Sequence, residues 1–385
     1  MKSIFRRNSK FVFGLFALIV TISLGFLVGE IGILKPAGVE AKISQLGVIE
    51  GQQNPLDEAN PLIKAALAIQ ERHTPNLLAN RKIIGTAISF NEAGRLGIMV
   101  LARDIVEASE VPESLEGLPV LIKITGEILA LNCPPIQSDP TKPTTIFQLP
   151  VPIGVSTGNA TATQYCDTGT IGARVKDNNG QIYALSNNHV YALQNSAQIG
   201  SAVLQPGLYD AGCPALKNGS PGNTIGALSA FVPISSSSNN TVDAAIALSS
   251  QGQLCNYTPF NGYGRPSSKT TTAKYFQAVQ KYGRTTSLTK GTIMGLNATV
   301  NVTYDFGTAV FVKQIIVFSS RQFIGAGDSG SLLVTNDSNC YPVGLLFAGN
   351  SSGTYAVANP ISLVLTSLGG AVTGNPASGL TIDGK

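Results

Sequence analysis

Histidine is nearly absent from this chain, with two in 385 residues. None of the five cysteines forms a C-x-x-C pair, so no ordinary set of zinc ligands remains, and neither a metal nor another cofactor is expected. Charge is scarce too: Asp, Glu, Lys and Arg make up 12% of the chain, against a usual share of about 25%. Part of the net charge of +4 sits in the opening MKSIFRRNSK, so no concentrated basic face is left for a nucleic acid. Disorder is excluded because 43% of the residues are hydrophobic. No fixed-period repeat runs along the sequence.

Glycine is what the chain has in quantity, 41 residues, together with many Ser, Thr and Asn. That mixture fits turn-rich β structure with a neutral polar surface. The cysteines (Cys133, Cys166, Cys213, Cys255, Cys340) suit an oxidising compartment. Their odd number leaves at least one thiol unpaired in the monomer, and the pairing is not readable. The basic start runs into FVFGLFALIVTISLGFLVG, residues 11–29, which carries no charge. A basic segment followed by an apolar run has the form of an export signal, and the run is long enough to span a bilayer. Val39-Glu40-Ala41 offers a cleavage site. Residues 1–42 are therefore expected to be a signal peptide or a membrane anchor, placing the rest outside the cytoplasm: secreted, periplasmic or tethered through residues 11–29.

Residues 43–60 are polar and read as a linker. Beyond Pro61, LIKAALAIQERH sets Leu62, Ala65, Ala66 and Ile69 at helical spacing. KIIGTAISF and RLGIMVLAR, separated by NEAG, read as a hairpin, and LPVLIKITGEI as a further strand. A small α/β domain over residues 43–131 is expected from these elements. Six prolines in NCPPIQSDPTKPTTIFQLPVP, residues 132–152, predict an extended linker. From 153 to 370 short apolar runs such as TIGARV, QIYALS, DAAIALS and AVFVKQIIVFS alternate with Gly, Asn and Ser turns. Many short strands at this spacing predict a mainly β domain, sandwich or barrel. Residues 371–385 read as a loose tail.

The segment GAGDSGSLLV, residues 325–334, brackets Ser329 with Gly327, Asp328 and Gly330 and then enters an apolar run. Such a loop can project a hydroxyl, but serine is a weak nucleophile until a base takes its proton. His73 closes the expected helix in ERHTPN, whereas His189 follows a strand and a Ser-Asn-Asn turn in QIYALSNNHV. For the acid, Asp243 opens the apolar run TVDAAIALS, where an unpartnered carboxylate would be costly. Asp210, in LYDAGCP, is the competitor, placed among turn residues where water could solvate it.

The order His189, Asp243, Ser329 and the segments ALSNNHV, TVDAAIAL and GAGDSGSLLV resemble the trypsin/chymotrypsin-like serine peptidases. KYGRTTSLTKGTI and YPVGLLFAG resemble, in turn, an early strand pair of the second barrel and the strand lining the substrate pocket. The closest likeness is to bacterial members with a small α/β domain ahead of the barrels. The resemblance implies a chymotrypsin-like double β-barrel and an endopeptidase acting on protein or peptide substrates. Ser329 would be the nucleophile, His189 the base and Asp243 its orienting acid, with the N–H groups of Gly327 and Ser329 as oxyanion hole. Phe323, six positions before Ser329, and Phe347 would fall at the substrate pocket, which favours an apolar side chain. The histidine-loop disulfide of animal trypsins is missing, and no new Ile or Val terminus is released to pair with Asp328, which speaks against activation by cleavage at the barrel start. A trypsin-fold binding or scaffold protein without turnover is the alternative.

Overall fold

The computed structural model describes residues 60–106, 110–130, 142–163, 166–213, 222–375 and 379–385. The expected signal or anchor of residues 1–42, Cys133 and the first part of the expected linker lie outside these residues. Helix α1 (Pro61–Leu78) starts where Asn60 Oδ1 accepts from Leu62 N at 2.9 Å, with proline at the first helical position. Its buried stripe is Ile63, Ala66, Ile69, Gln70, Thr74 and Leu77. Leu62 and Ala65, expected inside, lie off this stripe, because the register is set by what Ile63 and Gln70 meet. Gln70 Nε2 donates to Thr86 Oγ1 and to Asn297 O, both at 3.1 Å.

The strands follow in order. The upstream set is β1 (Ile83–Phe90), β2 (Leu96–Ala102), β3 (Ser114–Leu115), β4 (Leu118–Ile124) and β5 (Ile128–Ala130). Next come β6 (Ser156–Asn159), β7 (Gly169–Thr170), β8 (Ala173–Lys176) and β9 (Ile182–Ser186), the short helix α2 (Asn188–Tyr191), β10 (Ala202–Gln205), β11 (Asn223–Phe231) and β12 (Ala245–Ser249). The C-terminal set is β13 (Ala278–Gly283), β14 (Ser287–Tyr304), β15 (Gly307–Phe318), β16 (Leu332–Thr335), β17 (Pro342–Asn350), β18 (Tyr355–Pro360), helix α3 (Ile361–Thr373) and β19 (Thr381–Ile382).

Strands β13, β16, β17, β18, β15 and β14 pair in that order, and a further β13–β14 ladder closes them into a six-stranded antiparallel ring. Closure removes the open edges that a flat sheet would carry. Its interior holds Val279, Ile293, Val317, Phe323, Leu333 and Leu346, all essentially inaccessible. The second sheet runs β19-β8-β9-β12-β11-β10-β6-β7 and curls around Ile171, Ala184, Tyr191, Val203 and Ala245. The architecture is a double β-barrel, one closed ring and one half-barrel, mainly β.

Three expectations about its limits need correction. The upstream α/β segment has the expected helix and β1–β2 hairpin, turned at Asn91–Gly94, but it is not a separate body. Strand β1 pairs antiparallel with β14 (Gly85↔Val300, Thr86↔Thr299, Ile88↔Leu296), and the described residues fall in one compact unit. The reason is composition: all eight residues of β1 are buried, so both its faces and its free edge need cover. Nor is the described end of the expected linker loose, since Phe147 N donates to Gln205 Oε1 and Gln205 Nε2 to Thr145 O. The C-terminal tail is likewise tied down. β19 pairs with β8, and Asp383 meets Arg174 at 2.7 Å.

Candidate active site

Strand β9 ends at Ser186, and the Asn187-Asn188 turn after it opens helix α2, which carries His189. Asn187 Nδ2 donates to Asp243 O at 2.7 Å, so the turn itself fixes the neighbouring segment. Asp243 sits just before β12, fully buried, as the cost of desolvating a carboxylate at a strand start requires it to be partnered. Its Oδ2 lies 2.6 Å from His189 Nδ1, and Oδ1 accepts from His189 N at 3.2 Å. A carboxylate oxygen only accepts, so Nδ1 carries a proton, and in the neutral tautomer this leaves Nε2 as an acceptor. Among the described residues Nε2 has no hydrogen-bond partner.

Ser329 approaches from the other sheet, on the loop between β15 and β16. Thr170, at the end of β7, stitches the two together. Its N–H donates to Ser329 O and its Oγ1 to Gly327 O, each at 2.8 Å, while its carbonyl accepts from Ser186 Oγ at 2.8 Å. Ser329 Oγ itself donates to Phe347 O at 3.4 Å rather than to the imidazole. Gly330, at φ 91°, must be glycine: a Cβ there would stand 2.3 Å from Ser186 Oγ and 2.4 Å from Thr170 O. Gly327, at φ 92°, is packed the same way against Thr285 and Arg284.

The loop is shaped by Asp328. Its Oδ1 accepts from Thr285 N at 2.8 Å and Thr286 N at 3.2 Å, and its Oδ2 from Thr286 Oγ1 at 2.6 Å and Gly325 N at 2.9 Å. Lys281 Nζ stands 3.2 Å from Oδ2, with both side chains fully buried. The same ammonium donates to Thr286 Oγ1 and to Ser287 O. Burial pushes the Lys281 ammonium below the ordinary lysine value, against the pull of Asp328. Thr285 Oγ1 holds Ala326 O, which turns the N–H of Gly327 the opposite way across a trans peptide. Among the described residues neither that N–H nor the N–H of Ser329 donates to a backbone carbonyl. The arrangement can therefore offer two donors to a developing oxyanion.

The remaining expected residues fall as follows. The Asp210 side chain is buried, not solvated: it takes a bidentate ion pair from Arg284 and a hydrogen bond from Ser156 Oγ at 2.5 Å. His73 is paired with Glu116 at 2.9 Å on the surface of the upstream segment. Phe323 is buried in the ring interior, 5.9 Å from Lys281 Nζ, and Phe347 packs on Phe311 at 4.8 Å. Cys166 and Cys213 form a disulfide, and Cys255 and Cys340 are buried thiols. Near His189, Asp167 lines a cavity of about 420 Å³ with Leu193, Gln194, Asp305 and Phe306. Burial pushes the Asp167 carboxyl up, opposed by His189 and aided by Asp305.

Sequence reasoning missed Lys281, Thr170 and Tyr304. Alternation along β13 puts Lys281 on the strand face of Val279 and Gly283, which was a usable signal. Thr170 and Tyr304 gave none, because each acts across the two sheets. Also unforeseen is the seat of β5, whose Ala130, Leu129 and Ile128 pair antiparallel with Ala348, Gly349 and Asn350 of β17.

No protein-family model matches the chain, and no curated protein sequence does either. Solved structures resemble it over part of its length. One is a glutamic acid-specific serine protease that uses a histidine triad in substrate binding: 18% identity, TM-score 0.41, covering 60% of this chain and 100% of that one. Protease A of Thermobifida fusca is 16% identical with a TM-score of 0.42, over 61% of this chain and 100% of its own. The Nocardiopsis protease is 20% identical with a TM-score of 0.39, over 56% and 96%.

Proposed function

We propose that this protein is an exported serine endopeptidase working through an acyl-enzyme. The observation that carries the reading is the buried 2.6 Å contact between His189 Nδ1 and Asp243 Oδ2, which leaves Nε2 to accept, with Thr170 tying the Ser329 loop to Ser186 at the end of the strand that leads to His189. For reaction, Ser329 Oγ has to leave Phe347 O and turn to that nitrogen. Oγ then attacks a peptide carbonyl while its proton passes to Nε2. The tetrahedral oxyanion is held by the N–H groups of Gly327 and Ser329, each such donor contributing about 3 kcal/mol to the transition state. Collapse returns the proton from Nε2 to the leaving amine, and water repeats the sequence on the ester.

The peptide would lie as an added strand on the β17 edge at Ala348–Asn350, since strand addition supplies main-chain hydrogen bonds without regard to sequence. β5 fills that edge in the full chain, so a substrate has to displace it. Export rests on the basic and apolar N-terminal segments. Among the described residues no helix is long and apolar enough to cross a membrane.

The test is a peptide-library digest and fluorophosphonate labelling of folded wild type beside Ser329→Ala and His189→Ala. Cleavage and labelling of the wild type with none in either variant is the expected outcome. The double variant should be little worse than a single one, because triad members act as a unit. The second reading, a scaffold without turnover, draws on the Ser329–Phe347 hydrogen bond, and a wild type that stays unlabelled would select it.

A further inference from the structure

The long β14–β15 hairpin leaves its own ring and reaches the other sheet at the acid of the His–Asp pair. Its tip closes at Tyr304↔Gly307, and the tip residue Asp305 is braced from the half-barrel. Gln194 Nε2 donates to Asp305 Oδ2 at 2.8 Å, and Asp305 N donates back to Gln194 Oε1 at 3.0 Å. Lower down, β15 backs the segment that leads into Asp243. Asn240 N donates to Val310 O at 2.8 Å, Val312 N to Asn240 O at 2.9 Å, and Gln314 Nε2 to Thr241 O at 2.8 Å. The hairpin thus holds the approach to Asp243 along its side and the carboxylate at its end. There Tyr304 Oη donates to Asp243 Oδ2 at 2.8 Å, on the same oxygen that faces His189.

We propose that Tyr304 is a positioning residue for the proposed peptidase reaction: its hydroxyl shares Asp243 Oδ2 with His189 and thereby sets the orientation and strength of the carboxylate–imidazole contact. This rests on the serine peptidase reading. Three features make it more than core packing. The ring is clamped, stacked on Phe306 at 5.3 Å and 7°, tilted on Phe311 at 6.0 Å, and edge-on to His189 at 6.1 Å. Burial and the Asp243 charge push the phenol well above its ordinary value, so it remains a donor wherever the site works. A carboxylate out of water is held in place by its donors, and this donor comes from the opposite sheet.

Removing the hydroxyl leaves Oδ2 to the imidazole alone, so Asp243 should favour the imidazolium more strongly. The other ionisable groups toward His189 are Asp167, with Asp305 coupled to it at the hairpin tip, and neither changes in the variant. The experiment uses full-length protein with ¹⁵N-labelled histidine. Only two histidines occur, and His73→Gln assigns them. In Tyr304→Phe the His189 titration should move to higher pH by about one unit. Labelling of Ser329 should slow about tenfold, the effect of one lost charge-assisted hydrogen bond.

3-Fluorotyrosine at position 304, a stronger donor of nearly the same shape, should move the titration the opposite way and serves even if the phenylalanine variant folds poorly. Phe311→Leu, which loosens the same cluster but keeps the hydroxyl, should leave it in place. The proposal is overturned if folded Tyr304→Phe titrates like wild type, if the fluorinated residue does not reverse the sign, or if Phe311→Leu gives an equal shift. These readouts do not depend on turnover. An unlabelled wild-type Ser329 would instead count against the peptidase reading.

Discussion

Exchanging Lys281 for methionine deletes the ammonium facing Asp328 while keeping most of the side-chain volume. Both partners are fully buried, so the variant strands a carboxylate, and breaking such a pair costs roughly 3–5 kcal/mol. Asp328 keeps Thr285 N, Thr286 N, Thr286 Oγ1 and Gly325 N as donors, which puts the expected loss at the lower end, about 3 kcal/mol. Adding Asp328→Asn should recover much of that stability, because the stranded charge is gone. Labelling of Ser329 should nevertheless stay slow, since the loop would have lost the anion that gathers those donors.

The pH dependence follows from the lowered Lys281 value. Between that value and the 10.5 of an ordinary lysine, the unfolded chain binds more protons than the folded one. Native stability therefore rises with pH in that window and falls as pH drops through the folded value. Lys281→Met lacks this linkage, so the stability gap between wild type and variant should widen as pH rises toward 10.5. Urea unfolding at several pH values reads the gap. A single variant as stable as wild type, or a gap that narrows with rising pH, would refute the reasoning.

Asp243→Asn should leave the fold intact and lower kcat about 10⁴-fold through the wrong imidazole tautomer. Asp210→Asn should instead lower urea stability by about 3 kcal/mol, because it removes the charge that meets the buried Arg284, with the shape of the pH–rate profile preserved. The opposite pattern would exchange the two acids. Leu129→Pro removes an N–H from β5, where it pairs with β17, so peptide turnover by the full chain should rise. Unchanged turnover would mean that β5 does not compete with substrate.

Most of the strands were legible because apolar runs and Gly, Asn or Ser turns alternate, and His189 and Asp243 because a buried carboxylate needs a partner. The helix over Ile361–Thr373 was not legible: Gly369 and Gly370 interrupt it, and its buried Val364, Leu365 and Leu368 read equally well as strand. The continuity of β1 with β14 was hidden for a different reason. Local pattern says that an edge must be covered and not which distant strand covers it. Asp210 was misjudged because turn residues usually sit in water, whereas here Arg284 arrives from another strand pair to take the charge. Lys281 was not singled out, though its place in the strand alternation, on the face of Val279, argued for burial.

The pairing of β1 with β14 also sets a clock on biosynthesis. Ser89 Oγ donates to Met294 O across 205 residues of chain. At a synthesis rate of about 5–20 residues per second, β14 emerges roughly 10–40 s after β1. Throughout that interval IIGTAISF has a bare edge of unpaired N–H and C=O groups and no charged residue to blunt it, the kind of segment that recruits strands from other chains. Such distant pairing is also intrinsically slow to form. A chain stalled or truncated before residue 287 therefore keeps β1 unpartnered indefinitely, and its natural end is intermolecular β-aggregation.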